Sequence, residues 1–452
     1  MHSGSETIFA VATAPGRAGV AVVRVSGPAA FLAAARLSGD LPEARRAALR
    51  ILRRPSDNDA LDNALVLVFA GPHSFTGEDV VELHLHGGPA VVAAVLEALS
   101  NEPGLRPAEA GEFTRRAFEN GMLDLTEVEG LADLVDAETE GQRRQALRQM
   151  DGALSRLYEG WRADLIGLMA SLEAEIDFPD EGDVTTEEIA IFQSKVLALR
   201  SALATHLNES KRGERLREGV RCAIVGAPNA GKSSLLNRLA GREAAIVSDI
   251  PGTTRDVVEV RLVLAGAPVW VADTAGLHSA AEAIEAEGIR RAMARAEESD
   301  IRIGMVDGAA GAGAWSPLPL QIGDLLVIAK SDLVPGSAAE AARAWAVERA
   351  VHVLSASPKS GEGLAALEAW LTNRVAALTV IGEAPSLSRL RHRRHVEDAM
   401  AALTRAHESI HAGPELAGED LRSAAHALGR ITGRVDVDDL LDKIFSDFCI
   451  GK

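Results

Sequence analysis

The run Gly226-Ala-Pro-Asn-Ala-Gly-Lys-Ser233 constrains this chain more than any other stretch. It follows the apolar segment Cys222-Ala-Ile-Val225 and opens onto Ser234-Leu-Leu-Asn-Arg-Leu-Ala240. The pattern G-x-x-x-x-G-K-S therefore joins a predicted strand to a predicted helix, the context in which it acts as a phosphate-binding loop. The glycines let backbone N–H groups face an anion, and the helix N-terminus adds its positive dipole end. Lys232 is placed for the β- and γ-phosphates and the Ser233 hydroxyl for Mg2+, with Asn229, Ala230, Gly231 and Ser234 completing the cradle. A plain glycine turn would not need Lys-Ser at those two positions. The chain is predicted to bind a nucleoside triphosphate.

Three further motifs select the base, each at the end of a predicted strand, where doubly wound folds place ligands. Asp273-Thr274-Ala275-Gly276 follows Val269-Trp-Val-Ala272; its carboxylate suits the Mg2+ shell and the Gly276 N–H the γ-phosphate. Lys330-Ser-Asp332 follows Leu325-Leu-Val-Ile-Ala329. A carboxylate there accepts from the guanine N1–H and amino group, whereas adenine would offer it an acceptor. Ser355-Ala356 follows Val351-His-Val-Leu354 and can present a backbone N–H to the guanine O6. Between the phosphate loop and the Asp273 motif lies Ser248-Asp249-Ile250-Pro251-Gly252-Thr253-Thr254-Arg-Asp256, a switch-like segment with hydroxyls for the metal. Four motifs in this order predict a GTPase. One departs from the usual pattern: Ala329 stands where such proteins carry Asn, which predicts looser guanine binding while Asp332 keeps the discrimination.

The rest of the chain reads as further domains. To about residue 123, short β-branched runs (Ala21–Val25, Leu65–Phe69, Val80–Leu85) and one helical stretch near Ala90–Leu99 suggest an α+β domain. Residues 124–217 carry long amphipathic patterns such as Glu127–Asp136 and Trp161–Ile176, and helical periodicity returns over 378–452. The α/β segment 218–377 between them reads as an insertion into a discontinuous helical domain.

With 47 basic against 65 acidic residues, the net charge of −18 argues against indiscriminate nucleic-acid binding. The cluster Arg389-Leu-Arg-His-Arg-Arg-His395 remains dense enough to meet an RNA backbone. Two cysteines make no disulfide framework, the N-terminus lacks a signal-peptide pattern, and no apolar run reaches membrane-spanning length, so a cytoplasmic protein is expected. His84 and His86 lie two apart on a strand with no third ligand in view and read as structural.

With Asn229 in the loop, Gly252-Thr-Thr-Arg-Asp256 in the switch and the ending Phe448-Cys-Ile-Gly-Lys452, the chain resembles the MnmE (TrmE) family over essentially its whole length. Ala14–Pro28, Ser74-Phe-Thr-Gly-Glu-Asp79, Gly111-Glu-Phe-Thr-Arg115 and Ile176-Asp-Phe-Pro-Asp-Glu181 are similar to that family too. The resemblance implies a folate-binding and dimerising N-terminal domain, a discontinuous helical domain and an inserted Ras-like P-loop G domain. It implies a homodimer working with the flavin- and NADH-using partner MnmG in a heterotetramer or larger complex, FAD residing on that partner. Together they would place an aminomethyl or carboxymethylaminomethyl group at C5 of the wobble uridine of certain tRNAs, with 5-formyl- or 5,10-methylene-tetrahydrofolate supplying the carbon.

By the same resemblance, Arg24, Glu82 and Lys452 contact folate, and Met122 stands where the family has a lysine. Cys449, which fails as a prenylation box because Gly451 and Lys452 follow, would face the folate and matter for modification. A K+ ion would be held by Asn229, Ser248, Ile250 and Thr253 and coupled to docking of two G domains; Ser233 and Thr254 would hold Mg2+. The water-orienting glutamate falls on Glu285, between Glu282 and Glu287. Two rivals are weaker. A ribosome-assembly GTPase of the Era-like type predicts an appended basic RNA-binding domain, and a folate aminomethyltransferase with a relic G domain predicts decayed phosphate motifs.

Overall fold

The computed structural model describes residues 6–177, 186–241, 259–273, 294–311, 318–333, 336–380, 382, 385–435, 441, 444–445, 448 and 450–451. The chain forms two compact units, neither continuous in sequence. One comprises residues 1–132, 149–189 and 401–452; the other comprises 133–148 and 190–400.

The first unit is built on a six-stranded sheet of β1 (Thr7–Val11), β2 (Ala18–Ser26), β3 (Ala48–Arg53), β4 (Ala60–Phe69), β5 (Val80–Gly87) and β6 (Leu105–Pro107). The strand order is β3-β4-β5-β2-β1-β6, antiparallel except where β6 joins β1. Strand alternation sends Val23, Val25, Leu83, Leu85, Val66 and Val68 to one face, beneath α1 (Ala30–Ser38) and α2 (Pro89–Ser100). Three helices fall in the N-terminal segment where periodicity suggests one: α1 is hidden in the alanine run Ala33-Ala-Ala35, and α3 (Glu112–Glu119) is short.

The helical part of this unit continues through α4 (Leu125–Val135), apart from its last three residues, and α6 (Ala153–Asp177), which fall where sequence periodicity gives amphipathic patterns. Phe445 and Phe448 bury against Phe118, Leu123, Val128 and Leu131, which packs this segment on α3 and α4.

The second unit holds a six-stranded sheet of order β12-β11-β10-β7-β9-β8. Its strands are β7 (Val220–Gly226), β8 (Glu259–Leu264), β9 (Ala267–Asp273), β10 (Ile301–Asp307), β11 (Leu325–Ala329) and β12 (His352–Ala356). All pairs are parallel except β8 with β9. Such strands must be buried on both faces, which explains the continuous apolar run Leu325-Leu-Val-Ile-Ala329. Helices α8 (Lys232–Ala240) and α10 (Leu364–Thr379) cover one face, and α9 (Ser337–Glu348) packs with its buried alanines on the other. This is the doubly wound arrangement expected from sequence. The unit also contains α5 (Glu140–Met150) and most of α7 (Thr186–Glu218) and α11 (Leu390–Ser409), whereas α12 (Pro414–Thr432) packs on α6 in the first unit.

Where α7 meets α11, His206 is 5% exposed and His392 is fully buried. Burial, reinforced by repulsion from His392, pushes the His206 imidazole down to about 4. Below pH 6.5 the unfolded side chain takes up a proton that the folded one refuses until about pH 4. Stability is therefore full above pH 6.5, falls by about 3 kcal/mol as pH drops through that window, and levels below it. Denaturant unfolding of the full chain between pH 7.5 and 4 should show this slope, and His206→Gln should flatten it.

Candidate functional site

β7 ends at Gly226, whose φ of 156° and close approach to β10 exclude a side chain: a Cβ would stand 2.3 Å from the Met305 carbonyl oxygen. The loop then turns through Asn229 (φ 58°) and Gly231 (φ 102°) into α8, which begins at Lys232. Lys232 is 3% exposed, and its Nζ donates to the carbonyl oxygens of Gly226 at 2.9 Å and Ala227 at 2.7 Å. Two of its three N–H groups thus belong to the loop and one is left for a ligand. Burial pushes this ammonium below its usual range, opposed by the Asp273 carboxylate.

Asp273 ends β9, which lies beside β7 with Ile224 opposite it. The Ser233 hydroxyl donates to Asp273 Oδ2 at 2.6 Å, so two hard oxygen ligands from separate motifs meet at one point. Across the sheet, Asp307, Ala329 and Ala356 form one register row at the carboxyl ends of β10, β11 and β12. Lys330, in the left-handed region with φ 57°, pairs its Nζ with Asp307 Oδ2 at 2.5 Å. Asp332 is exposed, and the Ser357 hydroxyl, with Lys359 nearby, holds its carboxyl below the usual carboxylate range. The Ser355 hydroxyl accepts from Arg343 at 2.5 Å, and Ser355 and Ala356 close β12 opposite Ile328 and Ala329 of β11.

Ala329 shows what replaces the usual asparagine. A Cβ built on Gly231 would meet Met305 Cε at 3.5 Å and Ala329 Cβ at 3.9 Å, both in ordinary van der Waals range. The underside of the phosphate loop therefore rests on apolar carbon. Sequence reading missed Met305, Asp307 and Ser357. Asp307 was discoverable, because it ends an apolar strand as Asp273 does; Met305 and Ser357 carried no signal.

The N-terminal sheet holds a second polar site. Arg24 and Glu82 are opposite each other on β2 and β5, with Arg24 Nε and Nη2 donating to Glu82 Oε1 at 3.1 and 2.9 Å. The guanidinium lies 5.3 Å from the Phe75 ring centroid and 5.7 Å from that of Phe113. His84 Nε2 stands 3.3 Å from the other Glu82 oxygen. His86 instead joins Asp62, at 2.7 Å, so the two histidines serve different carboxylates. The loop Ser74–Asp79 is held by a network in which Ser26 bonds Thr76 and Glu78, and Arg116 ties Glu78 to Glu112. Met122 packs over Gly77 and is 39% exposed. Ile450 bridges to Ala110, and Gly451 lies so close to Val11 that a Cβ would be 2.1 Å from its carbonyl oxygen. The neighbouring Ala10 is the register partner of Arg24.

Ser248, Asp249, Ile250, Pro251, Gly252, Thr253, Thr254, Thr274, Ala275, Gly276, Glu285, Cys449 and Lys452 lie outside the described residues. Of the basic cluster, Arg389 pairs with Asp133 at 2.7 Å and Arg393 with Glu214, so part of it is spent inside the protein.

Comparison with known proteins identifies this arrangement. The family model of the GTP-binding protein TrmE N-terminus matches residues 7–122, and that of the MnmE helical domain matches residues 125–449. The chain belongs to the MnmE family. The tRNA modification GTPase MnmE of Parvibaculum lavamentivorans is 57% identical over 451 residues, covering 99% of this chain and 100% of the relative. That of Rhodospirillum rubrum is 57% identical over 461 residues, covering 99% of each. That of Maricaulis maris is 54% identical over 448 residues, again covering 99% of each. Like them, this member of the MnmE family is a GTP hydrolase.

Asp332→Asn exchanges a pure acceptor for a group that also donates. It should weaken GTP binding by about 10–100-fold while improving binding of xanthosine triphosphate, read by competition with a fluorescent nucleotide.

Proposed function

We propose that this chain is a K+-stimulated GTPase that acts with the flavoprotein MnmG to add an aminomethyl or carboxymethylaminomethyl group at C5 of the wobble uridine of certain tRNAs, drawing the carbon from a one-carbon tetrahydrofolate. Membership of a family whose relatives are named tRNA modification GTPases supports the substrate class. The observation that carries the nucleotide part is the convergence of Lys232, Ser233 and Asp273 at the strand ends that also bear Asp332.

On this reading the third N–H of Lys232 meets the β- and γ-phosphates, and Asp332 accepts from the guanine edge. Ser233 and Asp273, whose oxygens meet, would hold Mg2+ together with Thr254, and the ion would supply positive charge against the phosphates. Asn229, an exposed loop residue with φ 58°, would offer an amide oxygen for K+ together with Ser248, Ile250 and Thr253. Ser234, Asp249, Pro251, Gly252, Thr274, Ala275, Gly276, Lys330, Ser355 and Ala356 complete the nucleotide contacts, and Glu285 orients the attacking water.

The folate would lie on Arg24 and Glu82, whose fork and carboxylate suit the polar edge of a pterin, while Phe75 and Phe113 supply flat apolar surface. The bridge at Ile450 favours Cys449 and Lys452 as its neighbours, and Met122 leaves no ammonium where the family has one. Leu49, Leu65, His84 and Val22 form one register row on the face that also bears Arg24 and Ile51, and Leu49 and Ile51 are about half exposed, which favours a second copy as cover for that face. The division into residues 1–123, 124–217, 218–377 and 378–452 and a cytoplasmic location belong to the same proposal. Among the described residues no helix is long and apolar enough to cross a membrane.

The deciding experiment is mass spectrometry of wobble uridines in tRNA from a deletion strain, where unchanged modification overturns the proposal. Met122→Lys in the same assay should match or exceed the natural chain. Glu285→Ala should keep GTP affinity and slow turnover by about 100-fold or more, and KCl should accelerate hydrolysis over NaCl; equal rates would remove K+ from the mechanism.

A further inference from the structure

Residues 133–148 leave the first unit after Ala132 and return to it at Gln149, yet they pack within the second unit. Their anchor is the β8–β9 hairpin, whose turn is Ala265-Gly266 with both φ values positive. The Gly141 N–H donates to the Gly266 carbonyl at 3.1 Å, and the approach is so close that a Cβ on Gly141 would stand 2.5 Å from that oxygen. Beside it the Glu138 carboxylate pairs with Arg261 of β8, whose guanidinium stacks 4.6 Å above the Trp270 ring of β9.

The C-terminal end of α7 joins the same place. Gln142 Nε2 donates to the Arg217 carbonyl at 2.8 Å, Asp133 pairs with Arg217 at 2.9 Å, and Trp270 Nε1 donates to the Glu218 carbonyl at 3.0 Å. These groups surround a cavity of about 320 Å3 lined by Asp133, Asp136, Gln142, Arg217, Glu218 and Arg261. A close-packed core resists displacement, whereas a joint of exchangeable polar contacts around open space can change partners at low cost.

The hairpin has a second end. β9 runs from this turn for seven residues, about 20 Å, to Asp273, which touches Ser233 at the nucleotide site. We propose that residues 133–148 are a coupling strap: the β8–β9 hairpin passes the state of the nucleotide site to α5 through the Glu138–Arg261 pair and the Gly141–Gly266 hydrogen bond, and thence along the chain to the flanking segments of the first unit. The assignment rests on the functional reading above, and Gly141, Glu138 and Arg261 act in it as positioning residues that touch no substrate.

Two measurements on the full chain test it. Amide hydrogen exchange across residues 136–148 should differ by about fivefold or more between the GDP form and the form holding a non-hydrolysable GTP analogue, and identical exchange overturns the strap whatever becomes of the tRNA reading. In a deletion strain, Gly141→Ala, Glu138→Arg and Arg261→Glu should each keep purified GTPase turnover within about twofold and lower wobble modification by about tenfold or more. The double variant Glu138→Arg with Arg261→Glu should recover most of the modification, which guards against Gly141→Ala simply failing to fold. Normal modification in the single variants, a parallel loss of turnover, or no recovery in the double variant overturns the proposal. Failure of the natural chain to restore modification would instead strike the functional reading.

Discussion

The parallel pairing of β7 with β9 on one side and β10 on the other is the constraint on which the nucleotide end of this protein depends. Parallel strands finish at the same edge, so the loop after Gly226, the Asp273 carboxylate and Asp307 arrive together without help from any long side chain. The pairing tolerates no bulk at Gly226, because the β10 backbone passes where a Cβ would be. A side chain there would move the loop and the strand that carries Asp307 in one step.

Charge at this edge is managed locally. Lys232 is held by hydrogen bonds to its own loop carbonyls, with the Asp273 carboxylate as its nearby counter-charge, and Lys330 is tied to Asp307. Both ammoniums are thereby held in place before any ligand arrives, which lowers the entropy lost on binding. Where the usual asparagine would brace the loop by a hydrogen bond, Ala329 and Met305 offer carbon, so the loop is supported by contact and not by direction.

The N-terminal sheet uses its two faces differently. One is filled by α1 and α2, and the other carries Arg24, Glu82 and His84. Arg24 is fixed by a carboxylate and two rings, and the loop beside it is held by the Ser26, Glu78 and Arg116 network. The last residues of the chain reach this sheet through Ile450 and Gly451, so both ends of a long polypeptide serve one region.

Much of this was written in local order. Strand alternation in Val80–Leu85, helical spacing in Trp161–Ile176 and the Gly226–Ser233 run each depend on neighbours in sequence, and each is visible there. The alanine-rich α1 was not, since a nearly uniform apolar run has no period to read. Nor could sequence show that α5, between two helices of the first unit, packs with the second: that depends on Gly141 meeting Gly266 across more than a hundred residues. Sequence alone determined the ligand class and the fold of each piece, because strand–loop–helix chemistry is local. Only the tertiary structure decided that Lys330 answers Asp307, that Phe75 and Phe113 frame Arg24, and that residues 133–148 join the hairpin. Those contacts are settled by which distant backbones fit against one another.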